Sequence, residues 1–185
     1  LKEVLASHNQ YTHVSLLSGQ DYPIKSSKFI HTFFNENLNI DFIEFEPFPV
    51  PHIEGGGLER INSYSYNLFG KRYTHIPFKN TRKLNWKGYL VNTLLLLDQL
   101  VRKKRKTPNN FKNYYGSQWW SLSIQTLEEV MNYVELNPEY LRFHSSSLLP
   151  DEMFFQILLL NLKLEDLIIN DNKRFILWND QSSHP

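Results

Sequence analysis

The chain has 185 residues, enough for one domain with a real core and too few for two comfortable ones. A formal net charge of +1 removes any general pull toward nucleic acid or a membrane surface. The absence of cysteine excludes a disulfide scaffold and a thiolate nucleophile, and it fits a reducing compartment.

In chain order, residues 1–9 read as the end of an amphipathic helix, with Leu1, Val4 and Leu5 on one side. Residues 11–17 are β-rich and close in the polar turn Ser18-Gly-Gln-Asp-Tyr-Pro23. A strand whose C-terminal end opens into a loop is a usual ligand position in α/β proteins. Ser26 or Ser27 can cap a helix carrying Phe29, Ile30, Phe33 and Phe34. Residues 41–46, Asp-Phe-Ile-Glu-Phe-Glu, alternate with period two and predict one half-buried strand. Residues 47–57 form a Pro- and Gly-rich loop of a length that is usually functional or mobile.

Residues 60–66 predict a short helix and residues 72–78 an extended piece. Residues 86–105 are the longest helix candidate, with Leu90, Leu94, Leu97, Leu100 and Val101 as its apolar face and the basic run 102–106 as a solvated end. Residues 114–122 read as a second, aromatic strand, leading into a helix of Leu127, Val130, Met131 and Val134 that stops before Pro138. A helix is predicted from Pro150 to Leu160, placing Asp151 and Glu152 at its positive end. Residues 173–178 complete the series as a last strand. The alternation of strands and helices makes α/β the fold class. The longest apolar run, Leu94 to Leu97, is far below membrane-spanning length, and no signal peptide is legible.

Most chemistries lack their residues. The seven histidines show no i,i+4 pair and no His-Glu-x-x-His, and no Asp-x-Asp occurs, so no metal site is expected. There is no Gly-x-Ser-x-Gly elbow. The triplet Gly55-Gly56-Gly57 is not followed by Gly-Lys-Ser/Thr, so it is no phosphate loop. What remains is a set of carboxylates, Asp21, Glu44, Glu46, Asp151 and Glu152, among many aromatics. That combination fits carbohydrate hydrolysis or transfer, and the residues do not separate the two. Taken alone, Asp151-Glu152 reads as a helix-start stabiliser.

Four blocks then occur in order: residues 16–26 (Leu-Leu-Ser-Gly-Gln-Asp-Tyr-Pro-Ile-Lys-Ser), 116–122 (Gly-Ser-Gln-Trp-Trp-Ser-Leu), 149–156 (Leu-Pro-Asp-Glu-Met-Phe-Phe-Gln) and 173–178 (Lys-Arg-Phe-Ile-Leu-Trp) with a terminal His-Pro. Together they resemble the core-2/I-branching β-1,6-N-acetylglucosaminyltransferase family, which includes the peptide O-xylosyltransferases. The resemblance implies a GT-A-like α/β fold, a mixed sheet flanked by helices, and inverting transfer of a GlcNAc- or xylose-type sugar from a UDP-sugar without a divalent metal or other cofactor. It places the general base on Glu152. It puts Ser18, Gly19, Asp21, Ser117, Trp119 and Arg174 beside the donor, and Glu44, Arg60 and Trp120 beside a glycan or glycolipid acceptor. No nucleic acid partner is implied, and a membrane would be met only peripherally, through the acceptor.

The absence of cysteine, which animal members carry, points to a bacterial cytoplasmic enzyme. The family's N-terminal nucleotide-binding strands and a basic pyrophosphate-binding segment would lie before Leu1 and after Pro185. Residues 1–185 are therefore expected to be a single, partial glycosyltransferase domain that binds UDP-sugar weakly or not at all and is inactive alone. Two other readings stand beside this one: a carbohydrate-binding fragment without turnover, and a glycoside hydrolase using Glu152 with another carboxylate.

Overall fold

The computed structural model describes residues 1–7, 10–68, 71–74, 86, 89–90, 93–94, 97, 105–162 and 165–176. Its centre is a strand in which apolar and small polar residues alternate, β7 (Trp120–Ser123), buried along its whole length. β1 (His13–Ser15) and β2 (Asp41–Ile43) pair with it antiparallel on either side, and β8 (Ile168–Ile169) adds parallel to β2. The result is a mixed sheet of order β1-β7-β2-β8.

Because strand side chains alternate between faces, the register sorts the residues into two layers. Val14 and Leu122 lie opposite each other, as do Ile43 and Trp120, and these four meet the main apolar cluster. That cluster is completed by α4 (Ile124–Leu136), α5 (Pro138–Ser145) and α6 (Phe154–Asn161). On the other face Phe42 packs against Phe33 and Phe34 of α2 (Ser27–Glu36), with ring centroids at 5.1 and 6.2 Å. Ser26 caps α2 as expected, its Oγ accepting from the Phe29 amide. Ser123 caps α4 in the same way, and the buried Asp41 carboxylate accepts from the Ser123 amide and the Thr126 hydroxyl. α4 stops before Pro138 as expected, and Pro138 opens α5 from the first-turn position, where its missing N–H costs nothing.

Several sequence expectations are corrected. The strand expected over residues 41–46 ends at Ile43, and Glu46–Pro47 forms a separate strand, β3, paired with β6 (Tyr114–Tyr115). The cause is Asn170, whose side-chain amide accepts from the Phe45 N–H and donates to the Phe45 carbonyl, replacing a neighbouring strand. The aromatic strand expected over 114–122 is likewise two strands, β6 and β7, with a Gly-Ser loop between them. α3 (Glu59–Asn62) is shorter than predicted and is followed by the hairpin of β4 (Ser65–Leu68) and β5 (Lys71–Thr74). Residues 173–176 are not a strand; β8 takes that place in the sheet, and residues 177–178 lie outside the described residues.

Of the long helix candidate, Trp86, Tyr89, Leu90, Thr93, Leu94 and Leu97 are helical, but Leu90, Leu94 and Leu97 are 52–54% exposed rather than buried; Leu100 and Val101 lie outside the described residues. Nor is Arg105 solvated: it is 8% exposed and donates to the carbonyls of Arg60, Ser63 and Phe143 and to the Ser147 hydroxyl. It ties the chain after α3 to the end of α5. α1 (Lys2–Leu5) is a single short turn. Among the described residues no helix is long and apolar enough to cross a membrane.

The core holds one buried titratable group without a polar partner. His144 lies among the rings of Tyr140, Phe143 and Phe154 at 4.6, 5.0 and 5.0 Å, and among the described residues neither ring nitrogen has a hydrogen-bond partner. Burial, aided by the Arg105 charge, pushes its pKa down to about 3. The unfolded chain therefore takes up a proton near pH 6.5 that the folded chain refuses until near pH 3. This contribution to stability is complete above the unfolded value and falls by about 1.4 kcal/mol per pH unit through the interval. In urea titrations from pH 7 to pH 4, His144→Phe is expected to remove about one proton's worth of the pH slope. Parallel slopes for wild type and variant would contradict it.

Candidate active site

The predicted helix from Pro150 to Leu160 is interrupted. Pro150–Glu152 is a 3₁₀ turn, Met153 has φ −140°, and α6 begins at Phe154. Two local forces produce the break. Leu149 precedes a proline, which disfavours the right-handed helical region, and it adopts φ +47°. The Glu152 carbonyl accepts from the Gly116 amide at 2.9 Å. A left-handed conformation at a non-glycine residue costs on the order of 1–2 kcal/mol, and such strain concentrates at functional sites. Glu152 therefore sits ahead of the helix, held by the β6–β7 loop on its main-chain side. Gln156, buried one turn on, donates to the Ser117 carbonyl at 2.7 Å and pins the same loop.

Glu152 meets Arg60. Its Oε2 accepts from Arg60 Nε at 3.1 Å, and Arg60 Nη1 is 3.5 Å from Glu59 Oε1. The guanidinium also lies over the Tyr115 ring, 5.3 Å from its centroid. Arg60 is delivered by the 47–57 loop, whose three glycines all have φ between +64° and +67°; a Cβ at Gly56 would fall 2.6 Å from the Pro49 side chain. Burial raises the Glu152 carboxyl above the usual carboxylate range; the Arg60 charge opposes this and the Asp151 charge adds to it. Phe155, close by in sequence, packs against Trp120 in a tilted pair with ring centroids at 4.7 Å.

Tyr115 links the carboxylates. Burial raises its phenol, and the charges of Glu152, Glu46 and Glu44 raise it further while Arg60 lowers it. Glu46 lies opposite Tyr115 in the β3–β6 register, with His52 Nε2 at 3.4 Å from Glu46 Oε1. The Glu44 carboxylate accepts from Asn172 Nδ2 at 2.9 Å, and burial together with the Asp171 charge raises it. Glu44, Arg60 and Glu152 are thus brought together around Tyr115. Trp120 is not with them: it is 4% exposed and belongs to the core, so the acceptor role expected for it is withdrawn. Two consecutive tryptophans cannot both line one site at a strand start. Arg60 is also recast, since its guanidinium is engaged by Glu152 and Glu59.

A cavity of about 680 Å³ collects three of the six residues expected on the donor side: Asp21, Trp119 and Arg174 line it, with Lys25 and Lys173, whereas Ser18, Gly19 and Ser117 do not. Asp21 closes its own turn, accepting from the Ser18 amide at 2.6 Å, and Gly19 is exposed, with no atom within 4 Å of where a Cβ would stand. Ser117 shapes the β6–β7 loop by accepting from the Trp119 amide. Arg174 donates from Nη2 to the Leu16 carbonyl at 3.2 Å, immediately before that turn. Asn172 joins the two regions, donating to Glu44 and accepting from the Arg174 amide.

The family described as Core-2/I-Branching enzyme matches residues 1–185. The chain belongs to the Core-2/I-branching enzyme family. A search of the curated proteins finds no match. Membership makes this chain a GT-A-like glycosyltransferase, with a sugar donor and a glycan acceptor as its substrates.

In this member of the Core-2/I-branching enzyme family, the residues that the structure sets beside the expected site residues and that sequence reasoning missed are Tyr115, Asn172, Lys25 and Lys173. Lys25 had a signal, because it stands inside the Asp-Tyr-Pro-Ile-Lys-Ser block. Asn172 directly precedes the Lys-Arg-Phe-Ile-Leu-Trp block and had none beyond that position. Tyr115 was legible only as one of many aromatics.

Proposed function

We propose that this Core-2/I-branching enzyme transfers a GlcNAc- or xylose-type sugar from a UDP-sugar to a hydroxyl of a glycan or glycolipid, inverting the anomeric centre without a divalent metal. Glu152 acts as general base. The observation that carries this is the state of its carboxylate. One oxygen is held by Arg60, the other has no hydrogen-bond partner among the described residues, and burial raises its proton affinity.

In the reaction, Glu152 Oε1 takes the proton of the acceptor hydroxyl as the oxygen attacks the sugar C1 on the face opposite UDP. The C1–O bond to the diphosphate breaks, and its electron pair leaves with UDP. Burial that raises the proton affinity of Glu152 makes it the stronger base, and fixed geometry supplies the orientation. Arg174, Lys173 and Lys25 at the cavity are the cations that would meet the developing diphosphate charge. In this reading Glu44 and Tyr115 hold acceptor hydroxyls. The cysteine-free chain supports a bacterial cytoplasmic setting, at the membrane surface when the acceptor is a glycolipid.

The test is product analysis by NMR after incubation of the full-length protein with UDP-sugars and candidate glycans. Inverted transfer supports the proposal. Retained configuration, or hydrolysis of a glycoside without nucleotide, overturns it. Arg60 gives a second check. Arg60→Gln removes the charge and the hydrogen bond that favour ionised Glu152, so the acid limb of kcat/KM is expected to move to higher pH. A charge-assisted bond of this kind is worth about 10–100-fold in kcat/KM. A pH profile superimposable on wild type would disprove the pairing.

A further inference from the structure

The geometry points to Asn172 as the positioning residue that holds the acceptor-side carboxylate of Glu44 in register with the donor-side Arg174. This rests on the reading above, in which Glu44 meets the acceptor. Asn172 is 2% exposed, and a buried amide must find partners for both ends. Its Nδ2 donates to Glu44 Oε2 at 2.9 Å, its Oδ1 accepts from the Arg174 amide at 2.8 Å, and its carbonyl accepts from Arg174 Nη1 at 3.3 Å. The amide works in one orientation only, because the opposite flip would set its oxygen against the carboxylate.

Among the described residues Asn172 is the only hydrogen-bond partner of the Glu44 carboxylate. The other groups acting there are charges. Asp171 repels it, with Lys173 paired to Asp171 at 2.7 Å. Glu46 and Glu152 share the Tyr115 surroundings with it, together with Arg60 and, beyond Glu46, His52. In a neighbourhood this rich in negative charge, a neutral donor is the group that keeps Glu44 in place. On the far side, Arg174 reaches the Leu16 carbonyl at the root of the Ser18–Asp21 turn; burial lowers its pKa and the Asp21 charge opposes that. The series Glu44, Asn172, Arg174, Leu16 therefore crosses from the acceptor side to the donor cavity through one side chain. Misplacement of about 1 Å between two substrates can cost on the order of 10²-fold in rate.

The chemistry predicts a split between two substitutions. Asn172→Asp keeps the oxygen that the Arg174 amide uses but turns the donor facing Glu44 into a second carboxylate. Its acceptor KM is expected to rise about tenfold or more at pH 8, with the donor KM held, and to recover as the pH falls and the facing pair shares a proton. Asn172→Ala removes both bonds, so both KM values are expected to rise, without recovery in acid. A purely structural role would instead lower the folding midpoint and depress both substrates alike at every pH.

Glu44→Gln and wild type run beside them keep the two readings apart. Wild-type full-length protein without transfer, or full-length Glu44→Gln with an unchanged acceptor KM, overturns the site assignment and this inference with it. A defective Glu44→Gln beside an Asn172→Asp variant whose acceptor KM matches wild type, or whose defect is equal for both substrates and all pH values, overturns the role of Asn172 alone.

Discussion

Glu152→Gln is expected to reduce transfer by about 10²–10⁴-fold, the usual contribution of a well-placed general base. The amide matches the carboxylate in shape, and its oxygen can still accept from Arg60 Nε, so the 3₁₀ turn keeps its geometry. What disappears is the ability to take a proton from the acceptor hydroxyl. The loss should fall on kcat, with both KM values little changed, because the group acts as the hydroxyl ionises rather than when it binds. Stability is expected to move by no more than about 1 kcal/mol, since a quarter of the Glu152 side chain is exposed and its ion pair is correspondingly screened. Steady-state kinetics and a thermal melt on the same preparation check both halves. Wild-type turnover by the variant would remove Glu152 from the mechanism.

Gly116→Ala is expected to be the most damaging single methyl group in the described structure. A Cβ at Gly116 would lie 1.9 Å from the Glu44 carbonyl oxygen, 2.8 Å from its carbon and 3.0 Å from Gln156 Nε2. The obstacle is main chain, so no side-chain rotation relieves it. Either the β6–β7 loop retreats and loses its bonds to Glu152 and Gln156, or the segment carrying Glu44 moves. Overpacking of a well-packed site typically costs 1–3 kcal/mol, and a backbone clash belongs at or above the top of that range, about 3 kcal/mol. For a chain of this size that is a fall of roughly 6–12 °C in Tm. Gly19→Ala is the control, because nothing lies within 4 Å of the added methyl. It should change stability by less than about 0.5 kcal/mol. Similar melting curves for the two variants would show that the close approach at Gly116 is not needed.

Local signals were read well where neighbours in sequence carry the physics. Ser26 caps α2 through a bond that spans three residues, and the Leu127, Val130 and Val134 spacing marks the buried face of α4 without reference to the rest of the chain. The segment from Asp41 to Glu46 shows the opposite case. Its period-two pattern is real, but Asn170, more than a hundred residues away, takes the Phe45 main chain and ends the strand at Ile43. Arg105 is similar, since a run of cations reads as solvated until the carbonyls of Arg60, Ser63 and Phe143 converge on one of them.

The site divides along the same line. The ordered blocks by themselves determined the family and put the acidic turn, the Ser18–Asp21 turn and the Gly-Ser-Gln-Trp-Trp loop on the list of places that matter. Only the tertiary structure decided which residues face each other: Arg60 against Glu152, Tyr115 among three glutamates, Asn172 between Glu44 and Arg174, and Trp119 rather than Trp120 at the cavity. The reason is one of range. Capping, periodicity and motif spacing act within a few residues and leave a trace in the order of the letters. Burial, hydrogen bonding and ion pairing act between segments up to 158 residues apart, and no local pattern records which carboxylate will meet which arginine.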